Sequence, residues 1–389
     1  MKDVREREIA VPFLQKLIQA DTCNPPGNEL TLAAVVRDFL QEYGLQSRIE
    51  EFAAGRCNLE LTLGCGGGRK LMFCGHLDTV SAWTPEAGSY PPHGAVIEHG
   101  RMYGRGASDM KSGLAAMLLA AVSLHQEGVS LGGGLTVLAT AGEEVDSCGA
   151  RHYAGHAALR DLSAIVIGEP TASKVAIGHK GALWLRITLA GRSAHGSMPQ
   201  LGVNAVEGMA EIISLLHSHA LEWRAADPVL GTSSLSVNRM EGGVQTNVIP
   251  DRCVIDVDIR TVPPLRHASL QAEITARLEA IRTRHPDYRY QVEQLLDRSV
   301  VYTDPGHELI RTALELNGNA GESVQGVSYY TDGSILHDEG RLPVLIYGPG
   351  EPGQAHQPNE WVDIGAYLRS IDFYRELALH YLGSTAVQE

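Results

Sequence analysis

The chain has 389 residues, 44% of them hydrophobic and 20% charged, the balance of a soluble globular protein, and it is long enough for two domains with separate cores. Lys and Arg number 32 against 46 Asp and Glu, so the formal charge is 32 − 46 = −14. That excludes sequence-independent nucleic-acid binding, which needs a basic face. The longest apolar stretch, Leu114 to Leu124, is too short to span a bilayer, so no membrane partner is expected.

The opening segment, MKDVREREIAVPFLQKLIQAD, is charged and amphipathic, without a secretory apolar region. Six cysteines (Cys23, Cys57, Cys65, Cys74, Cys148 and Cys253) form no C-x-x-C pair and read as reduced, mostly buried thiols, so the expected location is cytoplasmic. Residues 64–70, GCGGGRK, lack the Gly-Lys-Ser/Thr ending of a phosphate loop and read as a hairpin turn. Leu71 to Cys74 form the apolar centre of a strand, and AVIEHGRMYG reads as a hairpin turning at His99-Gly100. DMKSGLAAMLLAAVSLHQEG predicts a helix stopped by Gly128. LTVLAT and AIVIG are continuous apolar strands of the kind buried on both faces. Strands separated by a helical stretch imply βαβ units and a mostly parallel sheet.

After Pro170 the pattern changes. Leu183, Leu185, Ile187 and Leu189 alternate with more polar residues, as do Cys253, Ile255, Val257 and Ile259. Period-two alternation describes an antiparallel sheet with one covered face. Helical stretches near 204–219 and 268–284 can cover it. From TDPGHELIRTALELNG onward the buried style returns, with PVLIYG as a strand and IGAYLRSIDFYRELALHYL as a final helix. The expected organisation is an α/β domain (1–176 and 296–389) interrupted by a smaller α+β domain (177–295).

Polar groups cluster at the ends of the apolar strands: His76 and Asp78 in FCGHLDTV, Asp109 in GRGASDMKSG, Glu143 and Glu144 in TAGEE, and Glu169 in VIGEP. His356 follows PVLIYG through a Gly/Pro loop. In open α/β sheets the carboxyl ends of strands form the ligand crevice. Two imidazoles and several carboxylates there make a mixed N/O donor set suited to zinc or cobalt, and two metals sharing a carboxylate explain the number of acids. Taken singly each residue has a plainer reading: a lone His is usually a surface or core residue, a Glu-Glu pair is usually solvated, and Asp109 alone can cap its helix.

At these residues the chain resembles the dinuclear zinc amidohydrolases that include acetylornithine deacetylase, succinyl-diaminopimelate desuccinylase, aminoacylase and glutamate carboxypeptidase. The resemblance runs from TCNPPGNE to AHQPNEWV, through GHLDTV, GRGASDMKSG, TAGEEVDSCGA, GEP, GRSAHGSMP, TNVIPD and DIRTVP. It implies a zinc-peptidase-like α/β catalytic domain with an inserted α+β, ferredoxin-like lid and dimerisation domain. It implies two Zn2+ per subunit, with Co2+ able to substitute: His76, Asp109 and Glu169 on one ion, Asp109, Glu144 and His356 on the other. Asp78 would accept the free N–H of His76, Glu143 would be the general acid/base, and a cis peptide would follow Asp109. His195 would stabilise the oxyanion from a partner subunit of a homodimer, and Asn247 and Arg260 would hold the substrate carboxylate.

The function expected on this basis is hydrolysis of the amide of an N-acyl amino acid. The alternative is a metallo-exopeptidase acting on dipeptides or C-terminal residues. A non-catalytic binding protein on the same fold would be marked by a lost ligand or base, and all are present. The acyl group is not legible; Tyr329 and Tyr330 in GVSYYTDGSIL depart from the patterns of the named biosynthetic enzymes.

Overall fold

A computed structural model describes residues 3–64, 66–223, 226–318, 323–337 and 341–385. The chain divides into two compact units: 1–178 with 301–327 and 331–389, and 179–300 with 328–330. The second unit runs past the expected limit of 295 because Arg289–Arg298 is its fourth strand, paired antiparallel with Gly181–Ala190.

The centre of the first unit is a parallel set of four strands in the spatial order Gly134–Thr140, Lys70–His76, Ala164–Ile167, Val344–Ile346. Antiparallel strands flank it, Arg56–Leu63 and Ser47–Ala53 on one side and Ala176–His179 on the other. The central strands are almost wholly buried, as their unbroken apolar runs require. Helix Lys111–Gln126 packs against Lys70–His76, Gly134–Thr140 and the last helix, Ile364–Leu382. That layering buries nearly every side chain of the former helix and explains its lack of a polar face.

The run at 64–70 is not a hairpin turn. The strands on either side of it do not pair; both lie against Gly134–Thr140. Cys65 lies outside the described residues. A Cβ at Gly66 or Gly68 would sit 2.5 Å from the Gly132 carbonyl oxygen. The glycines therefore let one connection cross over the backbone of another, a close approach that no side chain permits. The hairpin at His99-Gly100 does form, joining Val96–Glu98 to Arg101–Tyr103 with positive φ at both turn residues.

In the second unit the elements run strand, helix, strand, strand, helix, strand, the ferredoxin-like order. Its antiparallel sheet has the spatial order Ser234–Gly242, Arg252–Thr261, Gly181–Ala190, Arg289–Arg298. Leu183, Leu185 and Ile187 meet Ile259, Val257 and Ile255 in register. Helices Ala205–Glu222 and His267–Arg284 cover that face through residues such as Met209, Ile212, Ile274 and Leu278. Each such fully buried aliphatic side chain contributes about 1.5–3 kcal/mol of transfer free energy. The five described cysteines are free thiols, and no helix among the described residues is long and apolar enough to cross a membrane.

Candidate metal centre

The carboxyl ends of the parallel strands deliver the polar groups to one place. His76 ends Lys70–His76, and Glu143 and Glu144 follow Gly134–Thr140 after the positive-φ turn at Gly142. Glu169 follows Ala164–Ile167, and Asp109 precedes helix Lys111–Gln126. Two bare positions let these last two converge: a Cβ on Gly113 would lie 2.0 Å from the Gly168 carbonyl oxygen. The start of the helix therefore abuts the end of the strand, bringing Asp109 to Glu169.

Asp109 stands between two imidazoles. Its Oδ1 is 3.3 Å from His76 Nε2 and its Oδ2 is 3.4 Å from His356 Nε2. His356 Nε2 is also 3.0 Å from Glu144 Oε2, and His76 Nε2 is 3.6 Å from Glu169 Oε1. Asp109 is not a helix cap, since position Met110 precedes the helix and makes no side-chain capping bond. The Asp109-Met110 peptide is cis. Glu143 belongs to the same group: one ligand atom each from His76, Glu143 and Glu169 lie within 4.8 Å of one another, as do those of His76, Asp109 and Glu144.

Electrostatically the cluster is poor in positive charge. Burial, then the charges of neighbouring acids, push the carboxyls of Glu143, Glu144 and Glu169 up. Burial alone would lower His76; the bond to Asp109 and the surrounding carboxylates outweigh it and raise it. Bonds to Asp109 and Glu144 raise His356 to about 10. Glu143 Oε1 and Glu144 Oε1 are buried with no hydrogen-bond partner among the described residues. Orphaned carboxylate oxygens in a buried acidic cluster are costly unless a cation completes them. Donors around a tetrahedral divalent ion with bonds of about 2.0 Å stand about 3.3 Å apart, close to the separations across Asp109. The residues present fit divalent metal.

Asp78 departs from its expected contact. The His76 Nδ1 partner is the Asp78 backbone carbonyl at 2.9 Å, while the nearer carboxylate oxygen is 3.7 Å away. The carboxylate instead accepts from Gly142 N–H (2.9 Å), Glu143 N–H (3.1 Å) and Glu144 N–H (3.4 Å), and from the Asn24 side-chain amide (2.8 Å). Three successive amides at the end of a strand form an anion nest, and Asp78 fills it, fixing the direction of Glu143 and Glu144.

Glu360 does the same for Asp109, with no part given to it by sequence reasoning. Fully buried, it accepts from the N–H groups of Gly106, Ser108 and Asp109 and from Arg105 Nη1. Asn24 and Asp332 were likewise missed; Thr140 Oγ1 donates to Asp332 at 2.6 Å. The signals were slight. Glu360 follows a Gly/Pro loop as a solvated acid would, and Asn24 precedes two prolines like any turn residue.

His195, Asn247 and Arg260 belong to the second unit. Gly196 N–H donates to the Asn247 carbonyl at 2.8 Å, and His195 bridges Val248, so His195 and Asn247 are neighbours. His195 Nδ1 is 2.8 Å from Ser197 Oγ. Asn247 lies before the start of strand Arg252–Thr261 and Arg260 lies near its other end. Arg260 lies eight residue steps along the strand from Arg252, about 26 Å. Arg260 Nε and Nη2 are forked onto Asp258 at 2.8 and 3.0 Å.

The model of peptidase family M20/M25/M40 matches residues 72–380. The chain belongs to that family. M20 proteins are metal-dependent hydrolases, deacylases and peptidases among them. The chain is 33% identical over 367 residues to the acetylornithine deacetylase of Proteus mirabilis, covering 92% of this chain and 90% of that one. It is 26% identical over 402 residues to a probable succinyl-diaminopimelate desuccinylase of Staphylococcus aureus, covering 96% and 97%. Its fold matches a Bacillus subtilis protein described as a dinuclear metal binding peptidase from the M20 family, with TM-score 0.72, 16% identity and coverage of 97% and 98%.

Proposed function

We propose that this M20 protein is a zinc-dependent amidohydrolase that cleaves the amide of an N-acyl amino acid. The observation that carries the reading is Asp109 with one oxygen toward each of two imidazoles, amid more carboxylates than those imidazoles can balance. His76, Asp109 and Glu169 would hold one Zn2+, and Asp109, Glu144 and His356 the other, with Co2+ able to substitute. Two such ions supply Lewis-acid polarisation of the acyl carbonyl and lower the pKa of an attacking water.

Glu143 is the general base in this reading. It is buried, and one of its oxygens has no partner among the described residues, which leaves that oxygen open to accept a proton. It takes the proton of the attacking water and returns it to the leaving nitrogen. Asp78 holds the backbone of Glu143 in place, so it positions the base. His195 donates to the developing oxyanion, with Asn247 beside it. Arg260 grips the substrate carboxylate through the guanidinium edge that the Asp258 fork leaves over.

Arg252 and Arg260 are about 26 Å apart along the strand, and His195 lies beside Val248, before the Arg252 end, so in this reading a substrate touching both Arg260 and His195 is held by two chains. We therefore assign His195 and Asn247 to a partner in a homodimer formed through the second unit, whose edge strand Ser234–Gly242 pairs on one side only among the described residues.

The decisive test mixes His195→Ala and Glu143→Ala proteins, each inactive alone, after subunit exchange. A heterodimer holds one site with both groups intact, so about a quarter of wild-type activity should return in an equal mixture. No recovery with heterodimers verified by mass spectrometry rejects the two-chain site. A panel of acetyl-, succinyl-, formyl- and long-acyl amino acids and dipeptides, assayed with zinc or cobalt, then fixes the substrate. Faster turnover of dipeptides would make the chain an exopeptidase, and full activity after exhaustive chelation would reject metal dependence.

A further inference from the structure

We propose that Asp21, Cys23 and His93 form an additional binding site for a thiophilic divalent cation, zinc or an ion that mimics it. None of these residues belongs to the cluster around Asp109. His93 Nε2 lies 3.9 Å from Cys23 Sγ and 3.6 Å from Asp21 Oδ1, and the three donor atoms fall within 4.8 Å of one another. Tetrahedral zinc with bonds of about 2.0–2.3 Å sets its ligands about 3.3–3.8 Å apart. The His93–Asp21 and His93–Cys23 separations therefore lie within a few tenths of an ångström of that range.

The backbone beneath them is pinned from several directions. Asp21 Oδ1 accepts from Cys23 N–H at 3.0 Å, which turns the carboxylate back toward the thiol. Asn24 N–H donates to the Thr79 carbonyl at 2.7 Å and Thr79 N–H to the Thr22 carbonyl at 3.1 Å, so Cys23 is anchored on both sides. His93 is flanked by two fixed groups: Gly94 N–H donates to Pro91 O at 2.9 Å and Arg105 N–H to Pro92 O at 2.7 Å. Among the described residues nothing else engages the His93 ring: its Nδ1 is buried without a partner there, leaving Nε2 directed at the thiol and the carboxylate. Thr79 Oγ1 approaches Cys23 Sγ at 3.7 Å, an O–H···S contact that favours a thiolate.

Donor chemistry selects the ion. One sulfur and one imidazole favour zinc, cobalt or cadmium over magnesium or calcium, which prefer all-oxygen shells. The Asp21 side chain is 65% exposed, so the fourth position opens to solvent and the ion needs no tunnel to enter. Binding releases the Cys23 thiol proton to water. A nucleophilic role for Cys23 suits the site less well, because burial holds the thiol above its ordinary range rather than below it.

The test uses the spectroscopic mark of sulfur. The donors assigned around Asp109 are nitrogen and oxygen only, so a thiolate-to-cobalt charge-transfer band cannot arise there. Cobalt(II) titrated into the metal-free full-length protein should give that near-ultraviolet band. Cys23→Ser should abolish it and lower the bound cobalt by about one ion per chain, while His93→Ala should weaken the affinity behind it by about tenfold or more. Absence of the band in the wild-type protein, or its survival in Cys23→Ser, overturns the proposal. Should Cys23→Ser fail to fold by circular dichroism, His93→Ala and Asp21→Asn decide: a band of unchanged affinity in both rejects the site. Hydrolysis plays no part in this readout, so its outcome is separate from that of the proposed activity.

Discussion

Along strand Arg252–Thr261 of the second unit, Asp256 and Asp258 each have an arginine fork: Arg186 Nε lies 2.8 Å from Asp256 and Arg260 Nε 2.8 Å from Asp258. At the strand ends of the first unit, Glu143 and Glu144 each keep a buried oxygen without a partner among the described residues, and burial and neighbouring acids push both carboxyls up. Both regions are acidic, but only one balances its charge internally. Paired surface acids need no further explanation. Buried acids left unbalanced weaken the fold, so their presence is explained by an ion they hold or a proton they move.

The largest effect that tests this contrast is on Glu143. Glu143→Gln keeps the size and removes the proton acceptor, so turnover should fall about 100-fold or more, with metal content unchanged by mass spectrometry. Glu144→Ala should instead lower metal occupancy. Equal metal content and comparable turnover in the two variants would dissolve the distinction between base and ligand.

A smaller loss is expected at Asn24. Among the described residues its amide is one of four donors to the Asp78 carboxylate and the only side chain among those four. Asn24→Ala should reduce kcat about tenfold, the lower end of what supporting residues contribute at metal sites, and leave KM nearly unchanged. A change in KM alone would mean that Asn24 meets the substrate and does not position the base.

How these features are written in the sequence differs between the two units. The second unit is legible because period-two alternation maps directly onto a half-covered sheet: Leu183, Leu185, Ile187 and Leu189 are buried and Trp184, Arg186 and Thr188 are less so. In the first unit, buried strands were legible from apolar runs, and the acids at their ends from position. The crossing at Gly66 and Gly68 was not, because a glycine run signals a turn and a close backbone approach equally well. Glu360 and the amide nest around Asp78 were hidden for another reason. Their partners are backbone N–H groups, which leave no mark in side-chain identity. The placement of Arg260 and His195 at opposite ends of one sheet likewise follows from strand register, which motif spacing does not encode.

The comparison also predicts opposite pH responses. In the metal-free protein the carboxyls of Glu143, Glu144 and Glu169 titrate above their ordinary 4.5, and His356 is raised from 6.5 to about 10. A raised folded-state pKa means that the folded chain holds more protons than the unfolded one across the window. The stabilisation is full below the unfolded value and is lost as pH rises. Amide exchange in strands Lys70–His76 and Gly134–Thr140 should therefore slow as the metal-free protein is taken from pH 8 to about pH 5, after correction for intrinsic exchange. Added zinc should flatten the response, because a bound cation replaces the protons. A first unit that loosens on mild acidification without metal would show that its acids are balanced after all.

The smallest effect lies in the second unit. Asp256 is lowered from 3.8, chiefly by the Arg186 hydrogen bond, with burial opposing it. A depressed folded-state pKa contributes stability that is present above the unfolded value and lost as pH falls through the folded one, the reverse of the first unit. Its size is limited by exposure: the side chains of Arg186 and Asp256 are 33% and 22% exposed, so solvent screens the pair. Asp256→Asn should accordingly cost less than about 1 kcal/mol, read as amide exchange in Arg252–Thr261 at neutral pH, and the cost should shrink further in high salt. Below the ordinary carboxylate pKa, wild type and variant should converge, since the aspartate is then protonated in the unfolded chain and increasingly so in the folded one. A loss of about 3 kcal/mol or more would be the signature of a buried pair broken by removing one partner. It would place this pair with the unbalanced acids of the first unit, and the division between charge that is merely accommodated and charge that does chemistry would no longer follow the two units.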